Sequence, residues 1–192
     1  MTMNDLISVG DKLYPRYLLA PGRELEQGDI LFDCPVLLPL DEQLPMLLQP
    51  PEVRNDEVFG VRKRRYDLTV ITQFCDLERR ADGKYKVDTV LLCPHWELHN
   101  SPVPKSQWDA INKGRMPRYH LLGRSDLSGA KMEIRVVDLG QLLSLPLSYV
   151  QLLAENQGQR RLRLGSPYKE HLSQAFARFF MRVGLPQDIR LD

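Results

Sequence analysis

Residues 65–76, RYDLTVITQFCD, carry the reading on which the fold turns. The run LTVIT (68–72) is apolar and rich in β-branched side chains, which suit a pleated surface and predict a buried strand. Polar residues close it: Thr72, Gln73, Cys75 and Asp76. Two further segments share this plan. Gly28-Asp29-Ile30 opens a strand over 30–34 (ILFDC), and 87–95 (VDTVLLCPH) forms another that ends on His95. Polar groups at strand ends are well placed for function, because the sheet fixes them while the following loop leaves access.

Between these segments lies a proline-rich stretch over 36–56, with Pro39, Pro45, Pro50 and Pro51. Proline removes a backbone donor and disfavours helix in the residue before it, so a long loop or insertion is expected. Residues 57–61 read as a short strand, 79–84 (RRADGK) as a turn, and 105–112 as a short helix closed by Gly114. Strands are expected over 118–122 and 132–137. The period then becomes helical. One helix is expected over 146–155, followed by Gly158. A last helix is capped by Ser166, begins at Pro167 and presents Leu172, Ala175, Phe176, Phe179, Phe180 and Val183 on one face. Gly184 and Pro186 stop it.

The chain has 192 residues, enough for one core but not two, so residues 1–192 are read as a single domain. A hydrophobic fraction of 43% with 27% charged residues is globular composition, not that of a disordered chain. The formal net charge of +1 implies no whole-molecule attraction to nucleic acid or anionic membrane, so any such binding needs a local patch. No apolar run is long enough to span a membrane. The opening MTMNDLISVG lacks the basic start of a secretory signal, and the cysteines are three and widely spaced, which argues against a disulfide framework. A cytoplasmic setting is expected.

Several residue groups are candidates for chemistry. Arg62, Lys63, Arg64 and Arg65 form a basic run suited to phosphates, with Arg160, Arg161 and Arg163 as a second. Runs of this kind also mark ordinary solvated turns. Cys75 would be a nucleophile only if a base lowered its pKa, and no such base is apparent. Cys93, His95 and His99, with Cys75, are zinc-ligand types at a spacing that matches no standard site, so no metal and no cofactor is expected. His95 is the best candidate acid or base. Trp96 and Trp108 could stack on bases or close a core edge. Walker, dinucleotide-binding, zincin and nucleophile-elbow motifs are absent, which removes the commonest enzyme readings.

The segments Gly28-Asp29-Ile30, RYDLTVITQ from Arg65, and VLLCPHW resemble the strands of the MazF/PemK family of toxin endoribonucleases, over about residues 28–96. The resemblance implies an SH3-like β-barrel, here over 28–138, with the segment 139–192 as a helical extension: an α+β fold. It also implies metal-independent RNA cleavage, in which Arg65 would stabilise the phosphorane; His95, the best acid or base available among the residues, would move the proton. The family's proline after the arginine is replaced by Tyr66. Its hydroxyl residue at the end of the third strand falls at about Trp96. These departures lead to the expectation of a non-catalytic, PemK-like binding or adaptor module of a bacterial conflict system, either toxin–antitoxin or phage defence. A protein partner from the same system, RNA, or a second copy of the chain would be its ligand, through Arg62, Lys63, Arg64, Thr72, Gln73, Cys75, Asp76, Trp96 and Arg163. A metal-independent endoribonuclease is the alternative.

Overall fold

The computed structural model describes residues 6–9, 12–40, 60–158 and 161–181, with 6–9 and 12–14 described by their backbone alone. Strands β1 (Leu6–Val9) and β2 (Lys12–Pro15) pair with each other as a small antiparallel sheet. The main sheet is antiparallel and has eight strands: β3 (Tyr17–Leu19), β4 (Asp29–Pro39), β5 (Val61–Val70), β6 (Thr89–Glu97), β7 (Tyr119–Leu122), β8 (Arg135–Asp138), β9 (Leu143–Pro146) and β10 (Leu162–Leu164). Their order is β3-β10-β4-β5-β6-β8-β7, and β9 pairs with the first half of β6. The described helices are α1 (Phe74–Leu77), α2 (Trp108–Asn112), α3 (Leu147–Asn156) and α4 (Tyr168–Phe180).

The chain is therefore mixed α/β, as expected, but the sheet is not a closed barrel. Its two ends are the short strands β3 and β7, and among the described residues no ladder joins them. Closure would require staggered pairing of the first and last strands. Helices cover the two faces instead. Leu31, Leu68, Val70 and Leu92 pack with Val150, Leu153 and Ala154 of α3, whereas Ile30, Ile71, Cys93, Val137 and Leu162 pack with Leu172 of α4. Successive strand residues point to opposite faces, so a sheet buried on both sides needs continuous apolar runs. That requirement accounts for ILFDC and LTVIT.

Several elements differ from expectation. β4 continues to Pro39, into the proline-rich stretch, whose residues 41–56 lie outside the described residues, as do residues 57–59 of the strand expected at 57–61. The basic run Arg62–Arg65 lies inside β5 rather than ahead of a strand. The C-terminal third is not helical throughout: β9 and β10 join the main sheet, and β10 sits between β3 and β4. Ser166 does not cap α4; its hydroxyl donates to Glu170 Oε1 at 2.7 Å. Phe180 is half exposed, while Leu172, Ala175, Phe176 and Phe179 pack inward. Val183, Gly184 and Pro186 lie outside the described residues. The helix closed by Gly114 and the helix before Gly158 form as expected.

The insertion of β10 explains the Gly-Asp-Ile opening. Gly28 has φ +84°, and a Cβ there would lie 2.8 Å from Leu164 Cβ, so only glycine lets β10 approach. Asp29, fully buried, receives Arg161 Nη1 at 2.8 Å and Arg163 Nε at 2.6 Å. Arg161, equally buried, also donates to the carbonyls of Ala20, Gly22 and Glu24. This network binds the segment before β4 to β10.

Candidate functional site

β5 pairs with β4 along its whole length but with β6 only at residues 67–70. Past the Asp67–His95 pair, β6 continues alongside β8 as His95, Trp96 and Glu97. The two strands thus part and leave a notch between the outer half of β5 and the end of β6. An open cleft of about 440 Å³ occupies it, lined by Arg64, Arg65 and Tyr66 on one side and His95 and Trp96 on the other, with Asp33 and Asp67 at its base.

A charged network holds the base. Arg135, from β8, donates from Nε to His95 Nδ1 at 2.6 Å and pairs through Nη2 with Asp67 Oδ2. Its guanidinium lies 5.2 Å from the centre of the Phe32 ring, which meets the His95 imidazole edge-on. Asp67 Oδ1 accepts the backbone N–H of Asp33 at 2.8 Å. Asp33 Oδ2 in turn accepts Arg65 Nη1 at 2.5 Å. Asp33 has φ +51° at a register shift between β4 and β5. Such β-bulges redirect side chains beside sites.

The environment of His95 decides its chemistry. The residue is 1% exposed, and Nδ1 is taken by Arg135. Burial, and then the Arg135 charge, push its pKa well below the ordinary histidine value, although the carbonyls of Leu68 and Leu31 act in the opposite direction. The ring is neutral: its Nδ1 lone pair is committed to Arg135 and its one proton, on Nε2, is buried, so neither nitrogen is open to exchange a proton with a substrate. Arg65 is half exposed but engaged with Asp33. No known protein family matches this chain, and no curated protein is similar to it in sequence.

The residues expected at a site divide among three places. Arg64, Arg65, His95 and Trp96 meet around the notch, with Arg62 and Lys63 further out along β5. Thr72, Gln73, Cys75 and Asp76 lie beyond the opposite end of β5, in and before α1. There Thr72 Oγ1 accepts the Leu91 N–H at 2.7 Å, and Cys75 Sγ lies 3.8 Å from Gln73 Oε1. Arg163 belongs to the buried network, held by Asp29 and Glu26, while Arg160 lies outside the described residues. The zinc-ligand types do not converge. His99 packs edge-on against Trp108, whose indole N–H donates to the Val103 carbonyl. Cys93 is buried in the core, with its thiol pushed up to about 12 chiefly by burial. Among the described residues no three His, Cys, Asp or Glu side chains gather as a metal site.

The sequence reading did not single out Phe32, Asp33, Asp67 or Arg135. The first three lie inside the segments already quoted, where nothing distinguished them from strand surface. Arg135 is 40 residues from His95 and carries no local signal.

Proposed function

We propose that this chain is a non-catalytic binding module whose ligand is single-stranded nucleic acid, RNA in the setting implied by the MazF/PemK resemblance. The observation that carries this reading is the outer half of β5. Residues Val61 to Arg65 are all exposed, and none of Arg62, Lys63 and Arg64 forms an ion pair among the described residues. A basic strand with an open edge follows a phosphate backbone, and the partly buried Trp96 across the notch offers a stacking face. Cations also protect a free strand edge from self-pairing, so the same residues serve the fold.

The neutral, buried His95 argues against the alternative, a metal-independent endoribonuclease. Cleavage through the 2′-OH needs a group that moves a proton, and this imidazole is closed to it. An adaptor role in a bacterial conflict system agrees with a notch that binds and does not cut.

The test incubates purified protein with a long mixed-sequence RNA in EDTA and reads binding and cleavage on the same gel. The expected result is retarded, intact RNA, with affinity falling steeply as salt rises. Replacing Arg62, Lys63 and Arg64 by alanine should flatten the log–log salt slope by about 2, at about 0.7 per phosphate contact on a single strand. Discrete fragments that vanish in Arg65→Ala would establish the ribonuclease instead. Intact RNA with no retardation would leave a protein as the partner.

A further inference from the structure

A second site lies far from the notch in the chain, between β7 and α4. Two adjoining cavities, of about 280 and 320 Å³, share Asn112, His120, Leu121 and His171. At one end stands Arg16, from the turn between β2 and β3, with Tyr168 of α4; at the other stands Arg178, from the last turn of α4. Among the described residues neither cavity has an aspartate or glutamate in its lining.

The Arg16 end is shaped around its guanidinium. The group lies over the Tyr168 ring at 4.9 Å from its centre. On another side it rests against Gly123, where a Cβ would fall 1.6 Å from Nη1, so any other residue would displace it. Yet Arg16 Nε and the Tyr168 hydroxyl are both buried without a hydrogen-bond partner. Buried polar groups are normally satisfied, and the fold leaves these two, on residues that line one cavity, without an internal acceptor. The cavity that holds Arg178 has an apolar part, to which Ile111, Met116 and Pro117 contribute.

We propose that this cleft binds a small molecule carrying a phosphate-type dianion, held by Arg16 and the His120–His171 pair, with its uncharged part against Ile111 and Met116. Two guanidiniums and two imidazoles with no counter-charge in the lining suit a dianion better than a single carboxylate. Two histidines without a third ligand do not make a metal site.

Burial, and then the charge on His171, lower the His120 pKa to about 4. Besides these imidazoles, the charged and titratable groups lining the cleft are Arg16, Arg178, Tyr119 and Tyr168. An imidazolium there lacks a counter-charge until the dianion arrives, so binding takes up protons and strengthens as pH falls.

The test uses the full chain and sulfate, a dianion that does not itself titrate near neutrality. The imidazole NMR signals of His120 and His171 are followed, with chloride at matched ionic strength as the control. Saturable shifts are expected with Kd of about 1–10 mM. Binding should be about 3–10-fold tighter at about pH 6 than at about pH 7.5. His171→Gln should weaken it about tenfold, and His120→Gln should flatten the pH dependence. Inorganic phosphate should compete. Signals that move linearly without saturation, or equally in chloride, overturn the proposal. So does unchanged affinity in a folded His171→Gln protein. Because the wild-type imidazoles report directly, failure of a variant to fold leaves the test intact, and cations on β5 do not contribute to it.

Discussion

Asp33 sits in left-handed backbone space at φ +51°, where β4 slips register against β5 between Leu31 and Cys34. Aspartate tolerates this region better than most residues, and a β-branched side chain does not. Its ion pair with Arg65 is exposed on both sides, and pairs of that kind contribute little. The backbone rather than the carboxylate therefore sets the cost of substitution. Asp33→Gly is expected to stay within about 1 kcal/mol of the parent, and Asp33→Val to lose about 2 kcal/mol. Urea unfolding of the two variants measures this directly. If both variants lost the same amount, the shared loss of the Arg65 contact rather than the backbone conformation would set the cost.

At the scale of elements, the docking of β10 depends on charges more than on length. β10 has three residues, pairs with β3 and β4, and meets the segment before β4 through Arg161, Arg163 and Asp29. Removing one member of a fully buried ion pair leaves the other uncompensated, at a cost of about 3–5 kcal/mol. Asp29→Ala should therefore cost about that much and expose the amides of β3 and β10 to hydrogen exchange before those of β5 and β6. Uniform exchange across the sheet would show that β10 docks without Asp29. The outer half of β5 is the contrasting case. Its cations lie exposed along an edge, so their loss should change binding and leave stability nearly untouched.

The whole molecule carries two histidines whose pKa values are lowered by folding, His95 well below the ordinary value and His120 to about 4. A lowered folded-state pKa means that the unfolded chain binds the proton more tightly. The stability each ring contributes is complete above its unfolded value of about 6.5 and is lost as pH falls through its folded value. The fold should therefore weaken from about pH 6.5 downward, by roughly 3 kcal/mol from His120 alone by about pH 4. Melting temperature against pH checks this, and His120→Gln should reduce the slope in that window. A flat profile would mean that the two rings are no more buried than in the unfolded chain. Among the described residues no helix is long and apolar enough to cross a membrane.

Local sequence was sufficient for the strands built on LTVIT and VLLC and for the helix bearing Leu172, because burial on fixed faces imposes a period that composition alone reveals. It also singled out Arg64, Arg65, His95 and Trp96, which prove to be neighbours, although the basic run lies within β5 and not ahead of it. Three- and four-residue strands such as β10 and β9 have too few residues to display a period, and their pairing is decided by partners more than a hundred or some fifty residues away. Tertiary structure alone determined that the sheet stays open, since helices on both faces bury what closure would have buried. It alone also determined the chemistry of His95. A histidine at a strand end reads as an acid or base until Arg135, 40 residues along the chain, occupies its lone pair and the core excludes water from its ring.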